Sequence, residues 1–264
     1  MQLLVGFGLG IIVGFSAFRL GALTTSGALA AAVVGGLIFG FGGLPWASLL
    51  LLFFISSSLL SRAYRRRKKP LNEKFSKGSR RDHGQVLANG GLAALLVMVH
   101  WYAPDLDGVW IAFAGCMAAV NADTWATELG VLSPVAPRLI TNGDVVPRGT
   151  SGGVTLVGYL ATFAGAALIA VTAGLFTQFA SAIIPTVIIG GLAGATGDSI
   201  LGATVQGIYH CPACDKETES HPMHHCGTGT THIRGWRWVT NDFVNLSCSL
   251  IGAGVALGGW LLIR

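Results

Sequence analysis

The residues best suited to chemistry lie in one stretch near the middle of the chain, Asn121–Gly130. If this stretch is an α-helix, its polar side chains share one face, at about 100° per residue. They are Asn121, Asp123, Thr124, Thr127 and Glu128. Carboxylates on such a face suit Mg²⁺, which takes one or two carboxylates together with phosphate oxygens and water. The stretch therefore predicts a magnesium site, and a helix end that only contacts interfacial water is the alternative.

A polar loop over residues 137–153 follows this helix and could bind phosphate. It leads into a helix predicted to begin at Thr150 or Ser151, and a helix N-terminus attracts anions through its N–H groups and its dipole. Arginine adds planar donors that match phosphate oxygens. The candidate phosphate ligands are Arg138, Arg148, Thr150, Ser151, Gly152 and Gly153. A hydroxyl helix cap followed by a glycine packing face is the competing explanation.

Two further polar groups lie in apolar segments. Asp198 stands among small residues, where an unpaired carboxylate is costly. It should therefore meet a metal ion, Arg148 or another polar helix, with a structural hydrogen bond as the alternative. Asn241 and Asn245 share one face at the start of the last apolar segment. They are candidates for nucleotide contact, or for helix capping and packing.

The loop over residues 207–240 has the spacing of a metal site. A Cys-x-x-Cys pair is followed by histidines and a third cysteine, which resembles a structural zinc site with four tetrahedral ligands. The favoured ligands are Cys211, Cys214, His224 and Cys226. The alternatives for the fourth position are His221, His225 and His232. A redox Cys-x-x-Cys is disfavoured because no thioredoxin-like βαβ pattern surrounds it, and we expect no catalytic role for this zinc.

The composition shows which elements must position these residues. The 264 residues are 52% hydrophobic and 11% charged, whereas soluble domains contain about 25% charged residues. A soluble enzyme, a nucleic-acid-binding domain and a disordered chain are excluded. We predict one integral membrane domain over residues 1–264, an all-α polytopic bundle of about eight transmembrane helices with seven or nine as alternatives. The predicted segments are 2–18, 21–41, 46–61, 85–102, 109–129, 152–175, 179–206 and 242–263.

The positive charges orient this bundle. Ten of the seventeen Lys and Arg residues fall within the loop at residues 62–84, which the positive-inside rule places in the cytoplasm. All except Arg264 then lie on the cytoplasmic side, together with three polar windows at residues 121–151, 194–206 and 207–245. The sequence thus predicts one site on the cytoplasmic face. The basic loop serves either topology alone or contact with anionic headgroups, and nucleotide steering is a third possibility.

Four blocks of the sequence carry a resemblance: Asp123–Gly130, Val146–Thr155, Asp198–Gln206 and Asn241–Asn245. In order and spacing they resemble the membrane family that includes the phytyl-phosphate kinase of vitamin E biosynthesis. The resemblance implies a kinase that uses CTP and Mg²⁺ to convert an isoprenyl monophosphate to its diphosphate. The chain is also similar, more distantly, to CDP-lipid synthases and CTP-using dolichol kinases.

The resemblance also implies roles for single residues. Asp123 would hold the metal ion, and Asp198 would complete the site. The residues that would hold phosphates are Arg148, Thr150, Ser151 and Gly152. From the residue types themselves, without the resemblance, we expect Arg138 and Arg148 to neutralise the charge that develops on the transferred phosphoryl group. Because a phosphate monoester needs no strong general base, Glu128 would bind metal or position groups.

Two alternatives remain beside the kinase. A lipid cytidylyltransferase is weakened because CDP-lipid synthases usually carry Lys-Lys-Thr where this chain has Pro147-Arg-Gly-Thr150. A small-solute transporter is the other, but its polar groups should extend across the membrane, and here they cluster toward one face. The expected partners are membrane lipid, an isoprenyl phosphate and CTP, without nucleic acid, and a homo-oligomer is compatible with the sequence.

Overall fold

Eight α-helices make up most of the part of the chain that the computed structural model describes, residues 1–64, 80–106 and 108–263. They are α1 (Gln2–Arg19), α2 (Thr25–Gly42), α3 (Leu44–Ala63), α4 (His83–Tyr102), α5 (Gly108–Gly130), α6 (Leu156–Gly174), α7 (Ala180–Thr204) and α8 (Asn241–Ile263). The predicted polytopic helical bundle is confirmed. Most of the predicted basic loop, residues 65–79, lies outside the described residues.

Helix α5 is the central element of the bundle, and it packs against α3, α4, α6, α7 and α8. Its residues from Ile111 to Ala122 are all buried. Among the described residues, the seven other helices are long and apolar enough to cross a membrane. Helix α5 is not among those seven, and its C-terminal half carries Asn121, Asp123 and Glu128. Such polar groups can lie within the bundle because neighbouring helices shield them from lipid.

Local sequence signals explain where several helices begin. Asp82 caps α4, since its carboxylate accepts a hydrogen bond from the Gln85 backbone N–H (3.0 Å) and the Gln85 side chain returns to the Asp82 N–H. Thr24 and Thr155 cap α2 and α6. Their hydroxyl oxygens accept hydrogen bonds from the backbone N–H of the third residue of each helix, Gly27 and Gly158. A side-chain oxygen at this position satisfies an N–H group that the helix itself cannot.

Two small antiparallel sheets depart from the all-α prediction. In the loop between α5 and α6, β1 (Arg138–Leu139) pairs with β2 (Gly153–Val154). Between α7 and α8, strands β3 (Ile208–Cys211), β4 (Lys216–Thr218) and β5 (Thr231–Arg234) form a sheet in the order β4-β3-β5. Strands of two to four residues are too short to show the alternating pattern by which strands are recognised in a sequence.

Glycines allow α5, α7 and α8 to approach closely. A Cβ atom built on Gly252 of α8 would lie 2.4 Å from the Ala119 Cβ atom and 2.6 Å from the Gly115 carbonyl oxygen, both on α5. One built on Gly190 of α7 would lie 2.6 Å from the Gly252 carbonyl oxygen. Small residues give membrane helices dispersion contacts that lipid cannot supply. This packing fixes the positions of the helix ends that carry the polar residues.

We expect Gly252→Ala to destabilise the bundle by about 1–3 kcal/mol, because the added methyl group must displace the backbone of α5. The loss is measured as a lower midpoint of unfolding in detergent. Gly254→Ala is the matched control, since nothing lies within 4 Å of a Cβ atom at that position. Equal midpoints for the two variants would contradict the close-packing explanation.

Candidate functional site

The polar residues meet in one cavity of about 310 Å³ at one end of the bundle. Six helices line the cavity, three by their C-terminal turns (α3, α5 and α7) and three by their N-terminal turns (α4, α6 and α8). The cavity is lined by Ser61, Gln85, Asn89, Asp123, Thr124, Thr127, Glu128, Thr155, Tyr159, Asp198, Ser199, Asn241 and Asn245, among others. Chain segments up to 184 residues apart in sequence, from 61 to 245, are thereby brought together.

Asp123 and Asp198 are the carboxylates on facing helices. Both are half-buried and line the cavity, and the charge of Asp123 acts on Asp198. One oxygen of Asp198, Oδ2, is shielded from solvent and accepts no hydrogen bond from the described residues. Like charges in a shielded place repel strongly, and a cation between them removes the repulsion. The donor set therefore fits a divalent cation that completes its coordination with water or phosphate oxygens.

Glu128 is held differently from these two aspartates. It is 7% exposed, accepts a hydrogen bond from the Ser61 hydroxyl (2.7 Å), and interacts electrostatically with Arg81. Arg81 in turn donates to Ser57 (3.0 Å) and lies over the Phe53 ring. Burial lowers the pKa of Arg81, and the charge of Glu128 partly opposes that effect. This arrangement favours a positioning role for Glu128.

Arg81 is a cavity residue that the sequence analysis missed. It lies at the end of the basic run, which we interpreted as a topological signal, but its side chain turns inward and lines the cavity. Its backbone also pairs with the start of α2, through the Thr24 N–H to the Arg81 carbonyl (3.0 Å). The adjacent Asp82 cap was the available sequence signal, because it fixes Arg81 at the entrance of a helix.

The loop before α6 differs from the predicted phosphate cradle. Helix α6 begins at Leu156 with Thr155 as its cap, six residues after Thr150 and five after Ser151, the two predicted starts. The N-terminal turn of α6 still lines the cavity, as do Arg148 and the residues 149–153. Gly152 has a φ of +81°, and a Cβ atom there would lie 2.4 Å from the Ala203 Cβ atom. The glycine sequence therefore serves a tight turn rather than the first turn of a helix.

Side chains of this loop are partly occupied by structural hydrogen bonds. The Arg148 guanidinium donates to the carbonyl oxygens of Ser133 (2.6 Å) and Pro134 (3.2 Å). The Thr150 hydroxyl donates to the Pro147 carbonyl oxygen (2.8 Å). The Ser151 hydroxyl donates to Gln206 (2.6 Å). Arg148 is nevertheless exposed and lines the cavity, so its charge acts there.

Two predicted ligands lie away from the cavity lining. Arg138 is exposed on β1, and its guanidinium donates to the Gly143 carbonyl oxygen (2.8 Å). Asn121 is fully buried, donates to the Gly165 carbonyl oxygen of α6 (2.8 Å) and accepts from Ser56 of α3 (3.1 Å). The structure thus gives Arg138 a turn-stabilising contact and Asn121 a helix-packing contact. Helical periodicity alone could not separate the packed part of the polar arc from the open part.

Glu219 is a second cavity residue that the sequence analysis missed. It belongs to the loop between α7 and α8, lines the cavity, and accepts a hydrogen bond from Gln206 Nε2 (2.9 Å). With it, four carboxylates line the cavity: Asp123, Glu128, Asp198 and Glu219. Two guanidinium groups, those of Arg81 and Arg148, oppose them. The lining therefore carries an excess of negative charge.

The same loop assembles a cysteine and histidine cluster. Its four ligand atoms, from Cys211, Cys214, His224 and Cys226, lie within 4.8 Å of one another. The His224 Nδ1 atom is 3.2 Å from the Cys226 Sγ atom and 3.6 Å from the Cys214 Sγ atom. These are the four favoured zinc ligands, and the cluster could hold a metal ion. In the part of the chain that the structure describes, the carboxylates of the cavity do not form so compact a group.

The alternative histidines contact other groups. His221 stacks on Tyr209 with ring centroids 4.4 Å apart, and His232 meets the same ring edge-on at 5.4 Å. His225 is exposed beside His224. None of the three belongs to the compact group among the described residues. Proximity therefore favours His224 as the fourth ligand.

The thiols of the cluster differ in acidity. Hydrogen bonds from Thr228 and His224 lower the pKa of Cys226 to about 5. A hydrogen bond with Cys226 and desolvation raise the pKa of Cys214 to about 11. Cys226 therefore forms a thiolate readily, whereas hydrogen bonding and desolvation keep the Cys214 thiol protonated. A bound cation favours the thiolate form of its ligands, which is why metal binding releases protons from such sites.

Comparison with known proteins gives a consistent family. Residues 8–253 match the family described as "Integral membrane protein DUF92". The chain is 35% identical to Protein PGR of Arabidopsis thaliana over 229 residues, 78% of this chain and 79% of that protein. It is 35% identical to membrane protein MJ0933 of Methanocaldococcus jannaschii over 184 residues, 69% and 74% of the two chains. It is 23% identical to Protein VTE6, chloroplastic, of Arabidopsis thaliana over 239 residues, 89% and 64% of the two. No solved structure matches it.

Proposed function

The chain belongs to the DUF92 family of integral membrane proteins, and on that premise we propose that it is a CTP-dependent isoprenyl phosphate kinase. The reaction would transfer the γ-phosphoryl group of CTP to phytyl or geranylgeranyl phosphate. The choice of CTP and of an isoprenyl acceptor follows from the resemblance of the four sequence blocks. The chemistry of the cavity is compatible with that choice.

The observation that carries the proposal is the charge of the cavity. Asp123 and Asp198 face it from two helices, and Arg148 and Ser151 reach it from the loop before α6. A nucleotide triphosphate alone would be repelled by the four carboxylates. A nucleotide that carries a divalent cation would be attracted instead. The cation would bind the aspartates, and the phosphates would contact Arg148 and the N-terminus of α6.

Each cavity residue would have a separate role in phosphoryl transfer. Asp123 and Asp198 would hold Mg²⁺, which when bound neutralises charge on the phosphate oxygens. Arg148 and the backbone N–H groups at the start of α6 would stabilise the charge of the transferred group. Glu128 would keep Arg81 in place. The acceptor phosphate is itself the nucleophile, so the cavity needs no strong general base, and the prenyl tail would remain among the apolar helices.

We assign the cavity to the cytoplasmic side of the membrane. Arg62, Arg81, Arg148 and Arg234 lie at or next to the helix ends that surround it, and cytoplasmic loops carry the excess of Lys and Arg. CTP is an aqueous substrate, so it would reach the cavity from this side, while the acceptor would enter from the bilayer.

Aromatic packing at the opposite end of the bundle argues against a transport path. Trp46 packs against His100, Trp110 and Phe113 with ring centroids 4.9, 5.0 and 4.6 Å apart. Trp46 is 5% exposed and Phe113 is fully buried. A path for a polar solute needs polar groups along its length, and this cluster places packed aromatic rings there instead.

The proposal is tested by incubating purified protein with Mg²⁺, CTP and phytyl or geranylgeranyl monophosphate, and by identifying the lipid product by mass spectrometry. We expect the isoprenyl diphosphate together with CDP. Parallel reactions with ATP, and with EDTA, serve as controls for the nucleotide and the cation. A CDP-linked lipid would overturn the kinase in favour of cytidylyl transfer. Folded protein that yields no product with any of these substrates would also overturn it.

A further inference from the structure

Glu219 joins two parts of the molecule that the sequence analysis treated as separate. It lies between the metal-cluster residues Cys214 and His224, yet its half-buried side chain lines the cavity that contains Asp198. Glu217, two residues earlier on β4, is exposed. The loop over residues 207–240, named the metal loop here, is therefore part of the cavity wall. Of its two neighbouring glutamates, only Glu219 faces this cavity.

A buried amide links Glu219 to the phosphate side of the cavity. Gln206, at 2% exposed, donates from Nε2 to the Glu219 carboxylate (2.9 Å) and accepts at Oε1 from the Ser151 hydroxyl (2.6 Å). The charge of Glu219 also acts on Asp198. Glu219 is thus held by Gln206 near Asp198, whose Oδ2 atom is shielded and accepts no hydrogen bond from the described residues.

The metal loop is docked firmly on the end of α7. The Arg234 guanidinium of β5 donates to the carbonyl oxygens of Gly202 (3.2 Å) and Ala203 (3.1 Å). These carbonyls lie in the last turn of α7, where the helix itself supplies no partners. The Trp236 N–H adds a hydrogen bond to the Val205 carbonyl oxygen (2.8 Å). The cluster then closes the chain from Cys211 to Cys226, so the segment that contains Glu219 is held at both ends.

We propose that Glu219 is a third carboxylate beside the divalent-cation site, where its charge strengthens cation binding, and that the cysteine and histidine cluster positions it there. This inference rests on the proposed function, because the cation is the one that accompanies the nucleotide. The metal loop then has a consequence beyond its own folding: loss of its metal releases Glu219 and weakens cation binding in the cavity. Residues that orient metal ligands commonly change the affinity for the metal by about 10–100-fold when they are substituted.

The test is a titration of purified protein with Mn²⁺, followed by electron paramagnetic resonance, which reports bound cation without any turnover. The protein carries its loop metal, verified by elemental analysis, and the buffer contains no free zinc. We expect Glu219→Gln to weaken Mn²⁺ binding by about tenfold. The glutamine retains the oxygen that accepts from Gln206 and loses only the charge. Glu217→Gln, the same change on the exposed side of β4, is expected to bind Mn²⁺ as wild type does.

Three further variants separate the possible failures. Asp198→Asn reports whether Mn²⁺ binds in the cavity at all, and wild-type binding in this variant would overturn the proposed cation and with it the kinase. Weak binding in Asp198→Asn, together with equal binding in the two glutamate variants, would overturn the role of Glu219 alone. His224→Gln, compared with His225→Gln, tests the positioning by the loop. Wild-type Mn²⁺ affinity in metal-free His224→Gln would overturn the proposal that the cluster positions Glu219.

Discussion

Replacing Asp123 with asparagine is expected to reduce phosphoryl transfer by at least about two orders of magnitude while the protein remains folded. Asp123 lines the cavity opposite Asp198, and no described hydrogen bond depends on its side chain. The substitution keeps the shape of the residue and removes the negative charge that would hold Mg²⁺. Activity is measured with the CTP-dependent lipid kinase assay, and folding by size-exclusion chromatography and thermal unfolding.

Asp105→Asn is the matched control for this variant. Asp105 is exposed in the turn between α4 and α5, at the end of the bundle away from the cavity. The same loss of one carboxylate there should leave turnover unchanged. Turnover near the wild-type rate in Asp123→Asn would remove this residue from the cation site, and equal losses in both variants would point to a general effect of charge.

Replacing His224 with glutamine is expected to release the loop metal, which we expect to be about one zinc per chain in the wild-type protein. His224 is 4% exposed, and its Nδ1 atom lies among the cysteine sulfur atoms. Structural zinc contributes about 10–16 kcal/mol of binding free energy in zinc-finger peptides. The loop has only short strands of its own, so we expect it to lose its fold without the metal. Elemental analysis and limited proteolysis of residues 207–240 measure the two effects.

His225→Gln is the control that the chain itself offers. His225 is adjacent in sequence and has the same side chain, but it is exposed and outside the compact group of ligand atoms. It should retain the metal and resist proteolysis. Retention of zinc by His224→Gln would show that another residue supplies the fourth ligand. Freshly purified wild-type protein without any bound metal would contradict the structural zinc site itself.

Several features were predictable because they depend on composition and on spacing within one segment. Long apolar runs identify the membrane helices, and the structure confirms the polytopic bundle. The family recognised from the four motif blocks is confirmed by the match to DUF92 and by the relatives. The structure brings Asp123 and Asp198 to one cavity and Cys211 close to His224. Which ions and substrates occupy these places stays a prediction.

Other features depend on which distant segments meet. The polar arc of α5 contains both Asn121, packed against α3 and α6, and Asp123, open to the cavity. Their residue types and periodicity do not distinguish them, because the neighbouring helices determine which part of the arc is covered. The residues just before the Thr155 cap of α6 likewise meet a distant segment, since Gly153 and Val154 pair with Leu139 and Arg138 across the loop.

The sequence by itself determined a membrane-embedded bundle, an acidic helix face and the metal-site spacing of the cysteines and histidines. Each of these features depends on a pattern within one short segment. Tertiary structure alone decided that Arg81 turns into the cavity and that Glu219 reaches it from the loop that carries the cysteine and histidine cluster. Both residues lie in polar segments, where a charged side chain has no local reason to point inward. Their direction follows from partners more than ten residues away, Glu128 for Arg81 and Gln206 for Glu219, and such contacts form only when the helices pack.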